Sequence, residues 1–268
     1  MVVQHNLTAM NSNRMLGLTS SSQAKSTEKL SSGYKINRAA DDAAGLAISE
    51  KMRRQIRGLS KAVSNAQDGI SCVQTAEGAL NEVHDMLQRM NELAVQSANG
   101  TNMSTDREYL DSEVQALMKE IDRVADSTTF NENGLLDGDF NVTLQVGSEK
   151  GNEITLKIDA MSCSGLSLSG DIKTADTAKT FIDTVKDALE TVSKQRSDLG
   201  AIQNRLEHTI NNLNNVVENT TSAESQIRDT DMATEMVKYS NNNILAQAGT
   251  AMLAQANQAN QNVLSLLG

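Results

Sequence analysis

The chain has 268 residues, of which 38% are apolar but only 2% aromatic, so any core must be built from aliphatic side chains and methionine. It contains no proline, and nothing in the sequence therefore forces a break in a long helix. The net charge of −10 argues against nucleic acid as a partner, because neutralising phosphates requires a basic surface.

The first 24 residues carry very little charge. Arg14 is the only formally charged side chain before Lys25. Val3, Leu7 and Met10 are separated by steps of four and three, which begins an apolar stripe on one face of a helix. The segment has neither the positive region nor the continuous apolar run of a secretory signal peptide, so we expect a cytosolic protein or export by another route.

Residues 69–94 carry the clearest helical signal in the chain. Their apolar side chains alternate steps of four and three, which is a heptad seam. A second seam occupies residues 110–124, and Thr105 and Glu108 have the spacing of a capping box at its start. The intervening "QSANGTNMS" has the Asn, Gly and Ser of a turn, so the pattern predicts two antiparallel helices.

The period changes from that of a helix to that of a strand around residues 140–158. Apolar and polar residues alternate from 140 to 146 and again from 154 to 158, and "GSEKGN" lies between the two runs. This pattern predicts one small β-hairpin. We expect a loop at 161–171, followed by a long helix from near 177 to 227.

The end of the chain is also uncharged. No charged side chain occurs between Ser240 and Gly268, yet Gln and Asn interrupt every apolar run, so the stretch is no membrane span. One face of the predicted helix carries an apolar stripe formed by Leu245, Ala248, Met252, Ala256, Ala259, Val263 and Leu266. The two uncharged ends are natural partners, but a contact between two helices leaves much of each surface uncovered.

Other copies of the chain would supply the missing surface. Head-to-tail contacts of this kind build open filaments unless a rotation closes them into rings. Leu7, Met10 and the C-terminal stripe are therefore the candidate polymerisation residues. The predicted fold is mainly α, with long antiparallel helices forming a coiled-coil rod and one β-hairpin in the middle of the chain.

The sequence predicts no catalytic, cofactor or metal site. His5, His84 and His208 are scattered and lack the spacing of metal ligands. Cys72 and Cys163 are far apart, with no C-x-x-C, so neither a disulfide framework nor a zinc site is indicated. Without a Ser/His/Asp grouping or a phosphate-binding glycine loop, we do not expect an enzyme.

Segments from three parts of the chain closely resemble bacterial flagellins. They are "LSSGYKINRAADDAAGLAISEKMRRQIRGL" at 30–59, "QRMNELAVQSANGT" at 88–101 and "IRDTDMATEMVKYSNNNILAQAGTAMLAQANQ" at 227–258. The likeness covers about residues 1–140 and 175–268. The large variable outer domains of longer flagellins are missing, and only the hairpin and a short loop stand in their place.

This resemblance implies a structural subunit that self-assembles into the bacterial flagellar filament. Residues 1–44 and 228–268 would form the two halves of an inner coiled-coil domain, with 45–227 as the surrounding rod domain. The C-terminal stripe would be covered by the N-terminal helix of the same chain and by neighbouring subunits. The implied partners are other copies of the chain, the flagellin export chaperone, and the filament cap and hook-filament junction proteins, with secretion through the flagellar type III apparatus.

The resemblance also implies recognition by a host receptor. In flagellins the rod-domain surface is bound by Toll-like receptor 5 of animal hosts, and the matching positions in this sequence are Arg89, Leu93 and Glu113. Leu93 lies beside the seam at 69–94, so packing within the filament is an alternative role for it.

Two other classes of function are left open. One is a non-polymerising relative, such as the protein that joins hook to filament, which has similar terminal helices. The other is a membrane-active amphipathic helix at the C-terminus, disfavoured because that segment has no Lys or Arg to meet anionic lipid. We expect neither a nucleic-acid nor a membrane partner.

Overall fold

The computed structural model describes the backbone of residues 6–267 and the side chains of residues 6–258. The helices are α1 (Leu7–Ser32), α2 (Ala43–Ala98), α3 (Ser104–Ser127), α4 (Ala175–Arg228) and α5 (Met232–Leu267). Two antiparallel hairpins lie between α3 and α4 in the sequence, β1 (Thr129–Phe130) with β2 (Asn133–Gly134) and β3 (Asn141–Gln145) with β4 (Glu153–Lys157). The predicted mainly α fold is confirmed.

The chain divides into two compact units. A terminal unit contains residues up to Arg54 together with those from Asn219 onward, and a central unit contains Gln55–Glu218. Within the described part of the chain, no helix is long and apolar enough to cross a membrane.

The central unit has a continuous aliphatic core along one face of α2. Every apolar side chain of the predicted seam, from Val73 to Ala94, is buried there. Successive residues of α3 and α4 meet ever earlier residues of α2, so both helices run antiparallel to it. The contacts are Arg107 with Ser97 and Glu113 with Arg89 for α3, and Arg196 with Glu77 and Leu213 with Leu59 for α4. The heptad prediction for this region is confirmed, and each buried Leu, Ile or Val contributes about 1.5–3 kcal/mol of transfer free energy.

The start of α3 differs from the prediction. Met103 is the N-cap residue, and its backbone N–H donates to the Asp106 carboxylate over 3.1 Å. The capping box predicted for Thr105 and Glu108 is therefore wrong by two residues. Asp106 has a shorter side chain than Glu108. It lies in the first turn, where the helix dipole favours a negative charge.

The hairpin predicted near 140–158 is confirmed, with Asn141 paired to Lys157 and Gln145 to Glu153. The second hairpin, β1 with β2, was missed because its strands have only two residues each. Its turn is formed by Asn131 and Glu132, which both have positive φ, as in the tight turns that favour Asn.

The loop between β4 and α4 is part of the core. Its buried side chains are Met161, Cys163, Leu166, Leu168 and Ile172. The buried Asp111 carboxylate of α3 accepts a hydrogen bond from the Ile172 N–H over 3.0 Å. The Asp122 carboxylate, also on α3, accepts one from the Cys163 N–H over 2.8 Å. The loop is therefore fixed by polar side chains beneath it as well as by its own apolar residues.

Replacing Asp111 with Ala is expected to lower the free energy of unfolding by about 1–3 kcal/mol, because the buried Ile172 N–H loses its acceptor. Chemical denaturation of the full chain measures this change. Glu108→Ala on the same helix is the matched control, since Glu108 is exposed and should change stability by less than about 0.5 kcal/mol. Equal losses in the two variants would contradict the role of Asp111.

In the terminal unit α1 and α5 pack together as an antiparallel pair. Asn6 donates to the Ala256 carbonyl over 3.0 Å at one end, and Ser26 donates to Glu235 over 2.7 Å at the other. The less exposed positions alternate by three and four on both helices and define the terminal seam. Its members are Ala9, Ser12, Leu16, Thr19, Gln23, Ser26 and Leu30 on α1, and Glu235, Tyr239, Asn242, Ala246, Gly249, Leu253 and Ala256 on α5.

The segments that precede α2 and α5 also meet inside the terminal unit. Gly33 ends α1 in the left-handed conformation, and its carbonyl accepts a hydrogen bond from the Thr230 N–H over 3.0 Å. The Arg228 guanidinium lies 4.5 Å from the centre of the Tyr34 ring and pairs with Glu50 at 3.2 Å. These contacts hold the end of α1 beside the start of α5.

Candidate assembly and receptor surfaces

The predicted polymerisation residues lie mainly on the outside of the α1–α5 pair. Leu7 and Met10 are exposed, and Leu245 and Met252 are 57% and 58% exposed. Ala248 is also exposed. In the isolated subunit α1 therefore leaves Leu245, Ala248 and Met252 largely exposed, and the expectation that neighbouring subunits also cover the stripe stays a prediction.

The remaining members of the stripe have different positions. Ala256 is half-buried in the terminal seam and so faces α1. Ala259, Val263 and Leu266 lie outside the residues whose side chains the structure describes. The face of α5 that meets α1 is shifted from the predicted stripe by about one residue, and Ala246, Gly249 and Leu253 occupy it.

Small and polar side chains make up most of the terminal seam, in which Leu16, Leu30 and Leu253 are the large aliphatic members, and further large apolar side chains lie outside it. The large side chains that are exposed in this unit include Met15, Leu18, Met236, Val237, Ile244, Leu245 and Met252. A seam made mostly of small and polar residues allows the two backbones to approach closely but buries little apolar area. So many large apolar side chains left in water on one unit indicate an interaction site.

A groove of about 420 Å³ runs along the α1–α5 pair. Met15 and Leu16 form its wall on α1, and Leu245, Ala248 and Met252 form its wall on α5. The remaining lining residues are Asn11, Ser12, Thr19 and Gly249, so the groove carries no formal charge. Its shape and chemistry suit an uncharged apolar side chain from another helix.

The terminal seam contains one buried carboxyl group, that of Glu235. It accepts a hydrogen bond from the Ser26 hydroxyl over 2.7 Å and pairs with Lys238 at 3.4 Å. The Ser26 hydrogen bond lowers the pKa of Glu235, and the charges of Lys238 and Lys29 act in the same direction, whereas burial opposes them. The carboxylate form is therefore the one that the paired helices stabilise.

This lowered pKa makes the α1–α5 pairing sensitive to acid. The stabilisation by Glu235 is fully present above its ordinary pKa of 4.5 and is lost as the pH falls below 4.5 through the lower pKa of the folded state. We expect Glu235→Gln to show a weaker loss of stability over that range. Denaturation curves of both proteins at a series of pH values measure the slopes, and identical slopes would exclude this contribution.

Two of the predicted receptor-binding residues form an ion pair on the surface of the central unit. The Arg89 guanidinium contacts Glu113 of α3 at 2.9 Å and Glu92, one turn along α2, at 3.1 Å. The hydrogen bond to Glu113 is the main cause of the raised pKa of Arg89. Both partners are about half exposed, so this pair presents charge to solvent.

Leu93, in contrast, is only 1% exposed and belongs to the core of the central unit. It follows Met90 by three residues and precedes Ala94, so it extends the buried face of α2. The structure thus brings Arg89 and Glu113 together but leaves Leu93 beneath the surface. A direct contact between Leu93 and a receptor does not fit this position.

Both cysteines are buried thiols. Burial, followed by the nearby Asp122 charge, raises the pKa of Cys163 to about 12, and burial also raises the pKa of Cys72. A raised pKa disfavours the thiolate, which is the reactive form. Among the described residues, no cluster of three or more His, Cys, Asp and Glu side chains is placed to hold a metal ion.

Paired terminal helices with large apolar residues outside and an uncharged groove between them define a helical subunit built to associate with copies of itself. The sequence comparisons agree, because the bacterial flagellin N-terminal helical region matches residues 3–141 and the flagellin C-terminal helical region matches residues 182–267. The chain belongs to the bacterial flagellin family.

Two relatives match along the whole chain, and a solved structure matches over part of it. A flagellin of Halalkalibacterium halodurans is 55% identical over 271 residues, which is 100% of both chains. The flagellar filament 31.3 kDa core protein of Treponema maltophilum is 48% identical, again over 100% of both. A crystal structure of Bacillus cereus flagellin matches with a TM-score of 0.52 and 35% identity, over 56% of this chain and 88% of that one. The prediction of a short flagellin, a structural subunit of the filament, is confirmed.

Proposed function

We propose that the outer faces of α1 and α5 are the assembly surface of this filament subunit. The observation that carries this proposal is the distribution of side chains, with mostly small and polar residues in the terminal seam and Met15, Leu245 and Met252 exposed outside it. A second copy of the chain is the occupant we assign to the groove. Its own α1 and α5 carry the uncharged Leu and Met side chains that the groove accommodates.

The absence of charge favours close packing between copies. Desolvating an ion costs several kcal/mol, and the C-terminal sequence from Ser240 onward has no charged side chain to desolvate. Residues 1–44 and 228–268 are proposed as the inner domain of the filament, with 45–227 as the surrounding domain.

The remaining partners follow from this role. The protein is proposed to be secreted through the flagellar type III apparatus and to work outside the cell. Before export, the uncharged C-terminal segment would be held by the flagellin export chaperone, and the cap and hook-filament junction proteins would meet the same assembly surface at the ends of the filament.

Seeded polymerisation tests the proposal. Purified monomer is mixed with short filament seeds, and growth is followed by sedimentation and cryo-electron microscopy. Tubular polymers with α1 and α5 buried between copies are expected. A monomer that binds seeds without elongating would instead indicate a junction protein, a role disfavoured by 55% identity to a flagellin along the whole chain.

Receptor recognition is a second proposal and rests on the exposed pair of Arg89 and Glu113. An arginine and a carboxylate held 2.9 Å apart across two helices present a fixed, directional charge pattern to a partner. We assign this surface to Toll-like receptor 5 on the free monomer. Leu93 supports the surface from beneath by packing in the core.

Binding of the monomer to the receptor ectodomain tests this assignment. Arg89→Ala is expected to weaken the affinity by more than about tenfold, because interface arginines are often hot spots. Arg123→Ala is a matched control, since Arg123 forms an equally exposed pair with Glu120 on α3. Equal affinities of the two variants would exclude Arg89 from the site.

A further inference from the structure

The central unit contains two Asn-Gly pairs in different backbone settings. Asn99 and Gly100 are both exposed in the turn between α2 and α3, and no atom lies within 4 Å of the position that a Gly100 Cβ would take. Asn133 and Gly134 instead form β2, in register with Phe130 and Thr129. A Cβ on Gly134 would collide with the Asp137 carboxylate.

We propose that Asn99 is a site of spontaneous deamidation. The backbone nitrogen of Gly100 loses its proton to hydroxide and attacks Cγ of Asn99, and ammonia leaves from Cγ to give a five-membered succinimide. Water then opens the ring at either carbonyl, which leaves aspartate or isoaspartate at position 99. The net reaction consumes one water, releases one ammonia and involves no change of oxidation state.

The backbone setting selects Asn99 over Asn133. Ring closure requires rotation about ψ of the asparagine until the next nitrogen faces Cγ. Pairing in β2 holds ψ of Asn133 in the extended range, whereas Asn99 lies past the end of α2 and outside any strand. Glycine at the next position removes the Cβ that would hinder the attack, and the open space at Gly100 leaves room for the rotation.

Arg107 restrains this rotation. Its guanidinium donates from Nη2 to the Asn99 carbonyl over 3.1 Å and from Nε to the Ser97 carbonyl over 2.9 Å. The Asn102 N–H also donates to the Asn99 carbonyl, over 3.3 Å. Because the carbonyl must turn when ψ changes, the Arg107 hydrogen bond acts as a local brake on the reaction.

The product would alter the turn. Aspartate places a new negative charge on the residue whose carbonyl Arg107 binds, and isoaspartate adds a methylene to the backbone and displaces that carbonyl. In both cases the chain becomes more acidic by one charge.

Ageing of the purified full-length protein tests the proposal. The protein is incubated in mildly alkaline buffer, and peptide mapping by mass spectrometry quantifies conversion at positions 99 and 133. Isoaspartyl methyltransferase labels the isoaspartate, and isoelectric focusing reports the acidic shift. Conversion at Asn99 is expected to run well ahead of that at Asn133. Equal conversion, or faster conversion at Asn133, would overturn the proposal.

Two variants distinguish the succinimide reaction at Asn99 from faster conversion caused by unfolding. Gly100→Ala keeps the asparagine and fits the open space, and it is expected to slow conversion at Asn99 about tenfold, which corresponds to about 1.4 kcal/mol in activation free energy. An unchanged rate in this variant would contradict the succinimide route. Arg107→Ala is expected to speed conversion at Asn99 but not at Asn133. Equal acceleration at both sites would indicate general loosening of the fold and would remove Arg107 from the proposal.

Discussion

Leu245→Glu is expected to abolish seeded filament growth while leaving the free energy of unfolding of the monomer within about 0.5 kcal/mol of its original value. Leu245 is 57% exposed on the outer face of α5, so a carboxylate there stays in water in the monomer. Glutamate is also a good helix former, and α5 should persist. Between copies the same carboxylate would lose its hydration without a partner, which costs several kcal/mol.

That penalty translates into a large loss of assembly. Because each 1.4 kcal/mol is a factor of ten in affinity, the monomer concentration needed for growth should rise by more than about a hundredfold. Sedimentation after seeding measures this concentration, and chemical denaturation of the dilute monomer measures the stability. Growth at the original concentration would exclude Leu245 from the assembly surface.

The neighbouring position supplies a matched control. Ala246 belongs to the terminal seam and faces α1, so Ala246→Glu introduces the same side chain one residue away but inside the helix pair. This variant is expected to separate α1 from α5 in the monomer and to lower its helical content. Leu245→Glu should abolish filament growth but keep the helical content of the monomer. Ala246→Glu should reduce both.

Leu245 is exposed although it is apolar, whereas the small Ala246 faces α1. This contrast explains which parts of the fold could be predicted from the sequence. In the central unit the seam of α2 is built mainly from Val, Leu, Met and Ala, so its heptad period is strong and predicts the buried face correctly. In the terminal unit the facing side chains include Ser12, Thr19 and Asn242, which carry no hydrophobic signal. The stripe that hydropathy picks out on α5 is the one on the outside.

The two faces of α5 have different partners, since one packs on α1 and the other is proposed to meet a second copy of the chain. Sequence periodicity identifies apolar residues that need covering, but it does not identify the chain that covers them. Leu245 and Met252 remain more than half exposed in the isolated subunit, so their assignment to contacts with neighbouring subunits stays a prediction. The loop at 161–171 was predicted but its burial was not, since the acceptor that binds its Cys163 N–H, Asp122, lies far away in sequence.

For the predicted receptor-binding residues, too, the sequence indicated position along a helix better than depth of burial. The charged pair of Arg89 and Glu113 joins residues on two helices, and the predicted antiparallel arrangement of α2 and α3 was enough to bring them near each other. The depth of Leu93 was harder to predict. Its position beside the seam left a surface role and a packing role open, and the structure places it in the core.

Leu93→Ala is therefore expected to lower the free energy of unfolding by about 2–5 kcal/mol, the usual cost of removing a buried leucine side chain. Arg89→Ala should cost less than about 1 kcal/mol, because its ion pairs are exposed. Denaturant titrations of the two variants measure both values. A loss below 1 kcal/mol for Leu93→Ala would contradict the buried position.

The Leu93→Met variant distinguishes a packing role of Leu93 in the core from a direct contact between Leu93 and the receptor. Methionine has nearly the same volume as leucine, and such exchanges in a core cost less than about 1.5 kcal/mol. If Leu93 acts only by supporting the Arg89–Glu113 surface from below, the methionine variant should bind the receptor ectodomain as the original protein does, while the alanine variant binds more weakly. If Leu93 itself contacts the receptor, both variants should lose affinity even where they are fully folded, and the surface would have to rearrange on binding to expose it.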